Sequence, residues 1–227
     1  MPLEPILQTL SGSTDEPVFM KFPNSRILIF AKAPEPGKVK TRLIPAIGSE
    51  QAASLYRKLL IETVERAESS RLAAIECWCA PDTRHPLFQQ IGSDFGVSLQ
   101  NQVEGDLGLR MFHAAARALE SSDAALLMGG DCPVLTADYL RNALLALQKV
   151  DAVIGPAEDG GYVLLGLKRA DPGLFRDIPW GGDTVLAMTR QRLTELNWSW
   201  HEMDTLWDLD RPEDLQRYRA LFPGIKL

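Results

Sequence analysis

The stretch Ala125-Leu126-Leu127-Met128-Gly129-Gly130-Asp131-Cys132-Pro133 constrains this chain most, because an apolar run stops abruptly at two glycines and a carboxylate. An apolar run bounded by turn residues fits a central parallel strand. Ligands in open α/β sheets bind in the crevice beyond the carboxyl ends of such strands, which is where Asp131 falls. The competing reading is a plain turn, with Asp131 capping a helix that starts near Thr136.

The rest of the chain supplies matching elements. Ile27 to Ala31 reads as a first strand followed by a loop of prolines, glycine and cations. Ser49 to Ser69 carries Ala52, Leu55, Tyr56, Leu59, Leu60, Thr63 and Val64 at helical spacing, with Ser49 as expected N-cap. Strands are expected over Ala73–Cys79, Val97–Gln100, Ala124–Met128, Ala152–Ile154 and Trp198–Met203. Helices are expected over Thr83–Ile91, Leu107–Leu119, Thr136–Gln148, Asp183–Leu196 and Pro212–Leu221. The run Tyr162-Val163-Leu164-Leu165 follows its predecessor too closely for a helical crossover, so it should be an antiparallel or edge-type insertion. The pattern predicts an α/β protein with a mostly parallel, mixed sheet covered by helices on both faces. Residues 1–24 read as a loose arm and 25–227 as a single domain.

Composition removes several functions. A net charge of -6 and a pI near 5.2 argue against a nucleic-acid surface. No apolar run approaches the roughly 18 residues of a membrane span, and the N-terminus lacks a signal-peptide pattern, so a soluble, cytoplasmic protein is expected. Cys77, Cys79 and Cys132 are an odd set, and His85, His113 and His201 stand singly, so neither disulfides nor a zinc site is expected.

Against this acidic background, Lys32 to Arg42 holds four cations and one carboxylate. Gly37 allows close backbone approach, and Lys38, Lys40 and Arg42 would point one way along an extended chain. A diphosphate suits them, although a solvated basic turn has the same composition. The spacing is not that of a P-loop. Asp208 and Asp210, with Asp131, form a carboxylate set suited to Mg²⁺ or Mn²⁺, while Glu213 and Asp214 are expected to stabilise the start of the last helix. Asp159, in Glu158-Asp159-Gly160-Gly161-Tyr162, is a candidate general base over the crevice, though Asp-Gly is also an ordinary hairpin turn. Gln102 with Gly105 and Asp106 suits a nucleobase, and Asp106 equally suits a helix cap. Trp180 suits either a sugar-stacking platform or the core.

Taken together, Phe30-Ala31-Lys32-Ala33-Pro34, Pro36-Gly37-Lys38-Val39-Lys40-Thr41-Arg42-Leu43, Gly130-Asp131-Cys132-Pro133, Asp159-Gly160-Gly161-Tyr162 and Asp208-Leu209-Asp210 resemble one bacterial family. It comprises the GT-A-type glycosyltransferase-like proteins, often described as nucleotide-diphospho-sugar transferases and including those linked to arsenosugar biosynthesis. The resemblance spans about Arg26 to Leu221. The layout is also similar to phospholactate guanylyltransferases and molybdenum-cofactor nucleotidyltransferases, which place a second metal carboxylate just before a Thr-Pro-Glu-Asp-Leu helix start. Arg211 stands here in place of that Thr, so Asp208 and Asp210 both remain candidates.

The resemblance implies a Rossmann-like GT-A fold that binds a nucleotide sugar or nucleoside triphosphate through a divalent ion at Asp131. Lys32, Gly37, Lys38, Lys40, Arg42, Gln102, Gly105 and Asp106 would face the nucleotide, and Glu158, Gly160, Gly161 and Trp180 the acceptor. Sugar transfer to a small acceptor is the expected reaction, since no Gly-rich pyrophosphate loop is present. Nucleotidyl transfer to a phosphorylated small molecule is the alternative, and a non-catalytic nucleotide-binding protein is a third.

Overall fold

A computed structural model describes residues 20–223. Seven strands form one sheet: β1 (Ser25–Lys32), β2 (Ala74–Ala80), β3 (Ser98–Asn101), β4 (Ala124–Gly129), β5 (Ala152–Pro156), β6 (Tyr162–Leu167) and β7 (Trp200–Glu202). Their order is β3-β2-β1-β4-β6-β5-β7, and only β6 runs antiparallel to its neighbours. The helices are α1 (Ile44–Ile47), α2 (Ser49–Ser69), α3 (Pro86–Phe95), α4 (Leu107–Leu119), α5 (Ala137–Leu147), α6 (Val185–Glu195) and α7 (Pro212–Leu221).

Side-chain alternation along the strands divides the core. Ile27, Ile29, Cys77, Cys79, Leu126 and Met128 pack beneath α2, α3 and α5, whereas Leu28, Trp78, Ala125 and Leu127 pack beneath α4 and α6. Both faces are thus buried, which is why the strands read as continuous apolar runs. A third cluster joins Leu55 and Leu59 of α2 to Trp207, Leu209, Leu215 and Tyr218, drawing the C-terminal segment onto the start of α2.

Of the two alternatives for β6, antiparallel or edge-type, the antiparallel one holds. It lies between β4 and β5, buried on both sides. Ser49 is not an N-cap: Gly48, at φ 82°, occupies that position, and no side chain caps the helix. The short helical turns at Thr41–Leu43, Ile44–Ile47 and Pro172–Leu174 have no counterpart in the sequence reading. Most of the arm assigned to residues 1–24 lies outside the described residues. Within it, the Lys21 and Phe22 amides donate to the carbonyls of Arg71 and Leu72, and Phe22 packs on the core, so the fastened chain begins before residue 25.

β1 is flanked by β2 on one side and by β4 on the other, so the chain leaves their carboxyl ends in opposite senses. The crevice opened by such a reversal is where doubly wound sheets hold ligands. The cationic loop after β1 and the Gly-Gly-Asp loop after β4 both fall there.

Candidate active site

Asp131 does not cap α5. The Thr136 hydroxyl accepts the Tyr139 amide at 3.1 Å and does that work, leaving the aspartate free for another role. The glycines before it have steric reasons. A Cβ at Gly129 would come within 2.8 Å of Asp131 Oδ1, and one at Gly130 within 2.6 Å of Leu60 Cδ1. The strand end therefore turns close against α2 while its carboxylate stays clear.

The carboxylate meets Lys40, whose Nζ lies 2.7 Å from Asp131 Oδ2 and 3.7 Å from Asp210 Oδ1, with a side chain only 4% exposed. Burial opposes the ammonium charge, but Asp131, then Asp210 and Asp208, hold its pKa above the ordinary lysine value. The loop is consequently not extended, and the expectation of three parallel cations is corrected. Lys40 sits in the left-handed region at φ 47° and turns inward. Lys38 pairs outward with Glu35, and Arg42 Nη1 lies 2.6 Å from Asp210 Oδ2.

Residues about eighty positions apart are brought together by backbone lacing. The Leu209 amide donates to the Asp131 carbonyl at 3.1 Å, and Cys132 Sγ donates to the Trp207 carbonyl at 3.3 Å. The Leu206 amide donates to Pro156 and the Glu158 amide to Leu206, fixing the same segment beside the β5–β6 turn. Asp208 is thereby held near both Asp131 and Asp159. Burial, then the Asp131 charge, pushes its carboxyl up to about 6, only partly offset by Lys40.

Two cavities meet at Asp131. The larger, about 580 Å³, is lined by Lys32, Lys38, Lys40, Thr41, Arg42, Tyr56, Gln102, Gly105, Arg110, Asp131 and Asp210 among others. Cations outnumber carboxylates in that lining. The smaller, about 200 Å³, lies on the far side, with Asp159, Asp208, Tyr162, Val163, Trp180 and Gly161 in its wall.

Several expected site residues take structural positions. Asp106 accepts the Leu109 amide at 2.8 Å as the N-cap of α4 and does not line the cleft. Gln102 does line it, but its Nε2 donates to the carbonyls of Ala31 and Trp78, tying together the ends of β1 and β2. Gly37, at φ 81°, lies in the exposed bend of the loop and outside the cleft lining. Glu158 is removed from the acceptor side: it pairs with Arg217 of α7 at 2.8 Å and lines neither cavity. Asp159 Oδ1 accepts the Gly161 amide at 2.9 Å, so the turn reading holds for that oxygen. Gly160, at φ 87°, is required there, because a Cβ would meet the Asp183 carbonyl at 2.1 Å. Trp180 is half-buried, packed on the core and also lining the smaller cavity. Asp214 accepts the amides of Asp210 and Arg211 at the start of α7, as expected for a helix-stabilising acid.

Arg110 and Tyr56 were not anticipated. Arg110, in the first turn of α4, adds a cation to the larger cleft while its Nε donates to the Gly105 carbonyl. The Tyr56 hydroxyl accepts the Lys32 amide at 2.9 Å at the end of β1. Tyr56 read simply as one apolar position of α2, and only the cation's place one turn beyond Gly105-Asp106 could have marked Arg110.

The carboxyl of Asp208 supplies a stability prediction. That carboxyl is pushed up to about 6 from the ordinary aspartate range near 4, so its ionisation costs stability as pH rises from about 4 to 6. In EDTA, Asp208→Asn should therefore be more stable than the natural protein by about 1–3 kcal/mol at pH 7.5 and indistinguishable near pH 3.5. Chemical denaturation at the two pH values reads this difference, and an equal or lower stability at pH 7.5 contradicts the strained carboxylate.

Sheet order, switch-point crevice and strand-end aspartate together define a nucleotide-diphospho-sugar-transferase type of Rossmann-like fold. Residues 63–182 match the family described as an uncharacterized protein conserved in bacteria (DUF2064), and the chain belongs to that family. It is 33% identical to a solved protein of Desulfovibrio desulfuricans G20 that carries a provisional name as a nucleotide-diphospho-sugar transferase. That match covers 89% of each chain with a TM-score of 0.80. More distant likenesses show the fold alone. A nucleotidyl transferase of Methanothermobacter is 17% identical with a TM-score of 0.58, covering 87% of this chain and 97% of its own. A CMP:2-keto-3-deoxy-manno-octonic acid synthetase complexed with CTP is 13% identical with a TM-score of 0.53, covering 87% and 98%. No curated protein sequence matches the chain significantly.

Proposed function

We propose that this protein is a metal-dependent transferase that binds a nucleotide-diphospho-sugar in the larger cleft and passes the sugar to a small acceptor in the smaller cavity. The observation that carries the reading is the junction at Asp131, where a cation-rich cleft ends against a second cavity that holds another carboxylate. The solved relative's name agrees with it.

Among the described residues, no three His, Cys, Asp or Glu side chains converge as a ready metal cage. A catalytic magnesium site does not need one, since such an ion takes one or two carboxylates and fills its remaining positions with water and substrate phosphates. Asp131 and Asp208 fit that donor set. They are neighbouring carboxylates whose repulsion Lys40 only partly relieves, whereas Asp210 is paired with Arg42 at 2.6 Å. The ion would neutralise the departing diphosphate.

The chain's own residues do the rest. Lys40 and Arg42 offer charge to phosphate oxygens, Arg42 with two donors side by side. Asp159 has one oxygen committed to Gly161 and leaves the other to accept the proton of an attacking hydroxyl. Leu107, exposed at the start of α4, lines both cavities.

The nature of the released group tests the reading. Incubation of UDP-, GDP-, CDP-, dTDP- and ADP-sugars with a panel of small hydroxyl compounds, and of the nucleoside triphosphates with a panel of phosphorylated small molecules, should release nucleoside diphosphate from a nucleotide sugar. Release of inorganic pyrophosphate from a triphosphate would instead assign nucleotidyl transfer, and no turnover of any of them would remove both.

Arg42→Ala should weaken diphosphate binding by about 1.5–3 kcal/mol, the scale of a hydrogen bond to a charged group. Asp210→Asn, which frees Arg42, should leave binding unchanged or tighter. Unchanged affinity in Arg42→Ala by calorimetry removes the loop from the site.

A further inference from the structure

The smaller cavity differs from the cleft beside it in charge. Among the described residues its wall contains the carboxylates of Asp131, Asp159 and Asp208 and not one lysine, arginine or histidine. Leu107, Tyr162, Val163, Trp180 and Val185 make the rest predominantly apolar, and Trp180 and Tyr162 meet edge to face with ring centroids 6.5 Å apart. Among the described residues the five cations that line either cavity, Arg110 included, all line the larger one, with Lys40 Nζ 2.7 Å from the shared Asp131. The volume of about 200 Å³ holds roughly seven waters at about 30 Å³ each, the space of one ring rather than of a chain or a polymer.

We infer that the smaller cavity selects an acceptor without negative charge: a compact hydroxyl compound with an apolar face, uncharged or bearing an amine, and not a phosphorylated one. The inference rests on the proposed sugar transfer and deepens it by naming the acceptor class. With the ion at Asp131 and Asp208 taken up by the donor diphosphate, a phosphate in this cavity would lie against Asp159 with no lysine, arginine or histidine of the described wall to receive it, and like charges set face to face cost affinity and reject the wrong partner. An apolar ring face meets the Val163, Val185 and Trp180 side, and a hydroxyl pointing back toward the junction reaches Asp159. In the transfer, the acceptor oxygen forms the new bond to the anomeric carbon, its proton passes to Asp159, and the bond to the nucleoside diphosphate breaks. No oxidant or further reactant is needed.

The test uses matched triplets on the full chain, with Mg²⁺ and whichever of UDP, GDP, CDP, dTDP or ADP binds held at saturation. One triplet is methyl glucoside, glucosamine and glucose 6-phosphate, and the other is tyrosol, tyramine and tyrosol phosphate. Saturation-transfer NMR and calorimetry read the affinities. The neutral and amino members should bind at least about tenfold more tightly than the phosphorylated member of the same triplet. Asp159→Asn should narrow that gap. Gly182→Lys should close or invert it, because it places a cation on the exposed rim, where the new Cβ needs the Pro179 carbonyl, 3.2 Å away, to give by only a small shift. Equal or tighter binding of the phosphorylated members to the natural protein overturns the inference, as does binding of no member while the diphosphate binds normally. Failure of every diphosphate to bind is a different result, which removes the donor reading and the inference with it.

Discussion

Asp131→Asn should fold and lose at least about a thousandfold in turnover, since several kcal/mol of charge stabilisation are lost and each 1.36 kcal/mol is tenfold in rate. The amide keeps the shape that Gly129 accommodates, and the cap of α5 is untouched because Thr136 provides it. What changes is charge. Lys40 loses its nearest carboxylate and is left with Asp210 at 3.7 Å, so a moderate stability cost of about 1–2 kcal/mol accompanies the catalytic loss. Mg²⁺-dependent nucleotide binding should fall in parallel with turnover, which separates a site effect from a general loosening. A folded variant with normal metal-dependent binding and turnover would leave Asp131 as no more than the counter-charge of Lys40.

Lys40→Met should be the most destabilising single change at the site. The side chain is nearly fully buried, and removing it leaves Asp131, Asp208 and Asp210 facing one another with only the half-exposed Arg42 beside them. Breaking a buried pair by deleting one partner costs about 3–5 kcal/mol, and solvent at Asp131, whose side chain is 31% exposed, lowers this to about 2–4. For a chain of this size the melting temperature should drop by roughly 5–15 °C. The loss should shrink as pH falls through about 6, where Asp208 protonates, and should be partly recovered by millimolar Mg²⁺ at neutral pH. A change within 2 °C, measured by thermal unfolding in EDTA at pH 7.5, would show that the ammonium does not hold the cluster together.

The architecture was legible because burial on both faces writes strands as short apolar runs and helices as 3.6-residue periods. Pro212–Leu221 and Leu107–Leu119 emerge with the expected bounds. The position of β6 was not, since antiparallel pairing is signalled by a short connection whereas sheet order depends on which faces the helices cover. At the site, Asp131 could be read from the way its strand ends. The inward turn of Lys40 could not, because left-handed backbone at a lysine has no local signature and exists here only through the carboxylates it meets. What separates Asp208 from Asp210 was likewise hidden: Arg42 engages Asp210, a contact between residues 168 positions apart.

The central claim, a nucleotide-diphospho-sugar held across the Lys40–Asp131 junction with a divalent ion, is tested most directly by calorimetric titration of the natural protein and Asp131→Asn with UDP-, GDP-, CDP-, dTDP- and ADP-sugars, each with Mg²⁺ and with EDTA. At least one nucleotide sugar should bind the natural protein about tenfold or more tightly with Mg²⁺, and that gain should vanish in the variant. Absence of binding by every nucleotide sugar, or binding indifferent to both Mg²⁺ and Asp131, would contradict it.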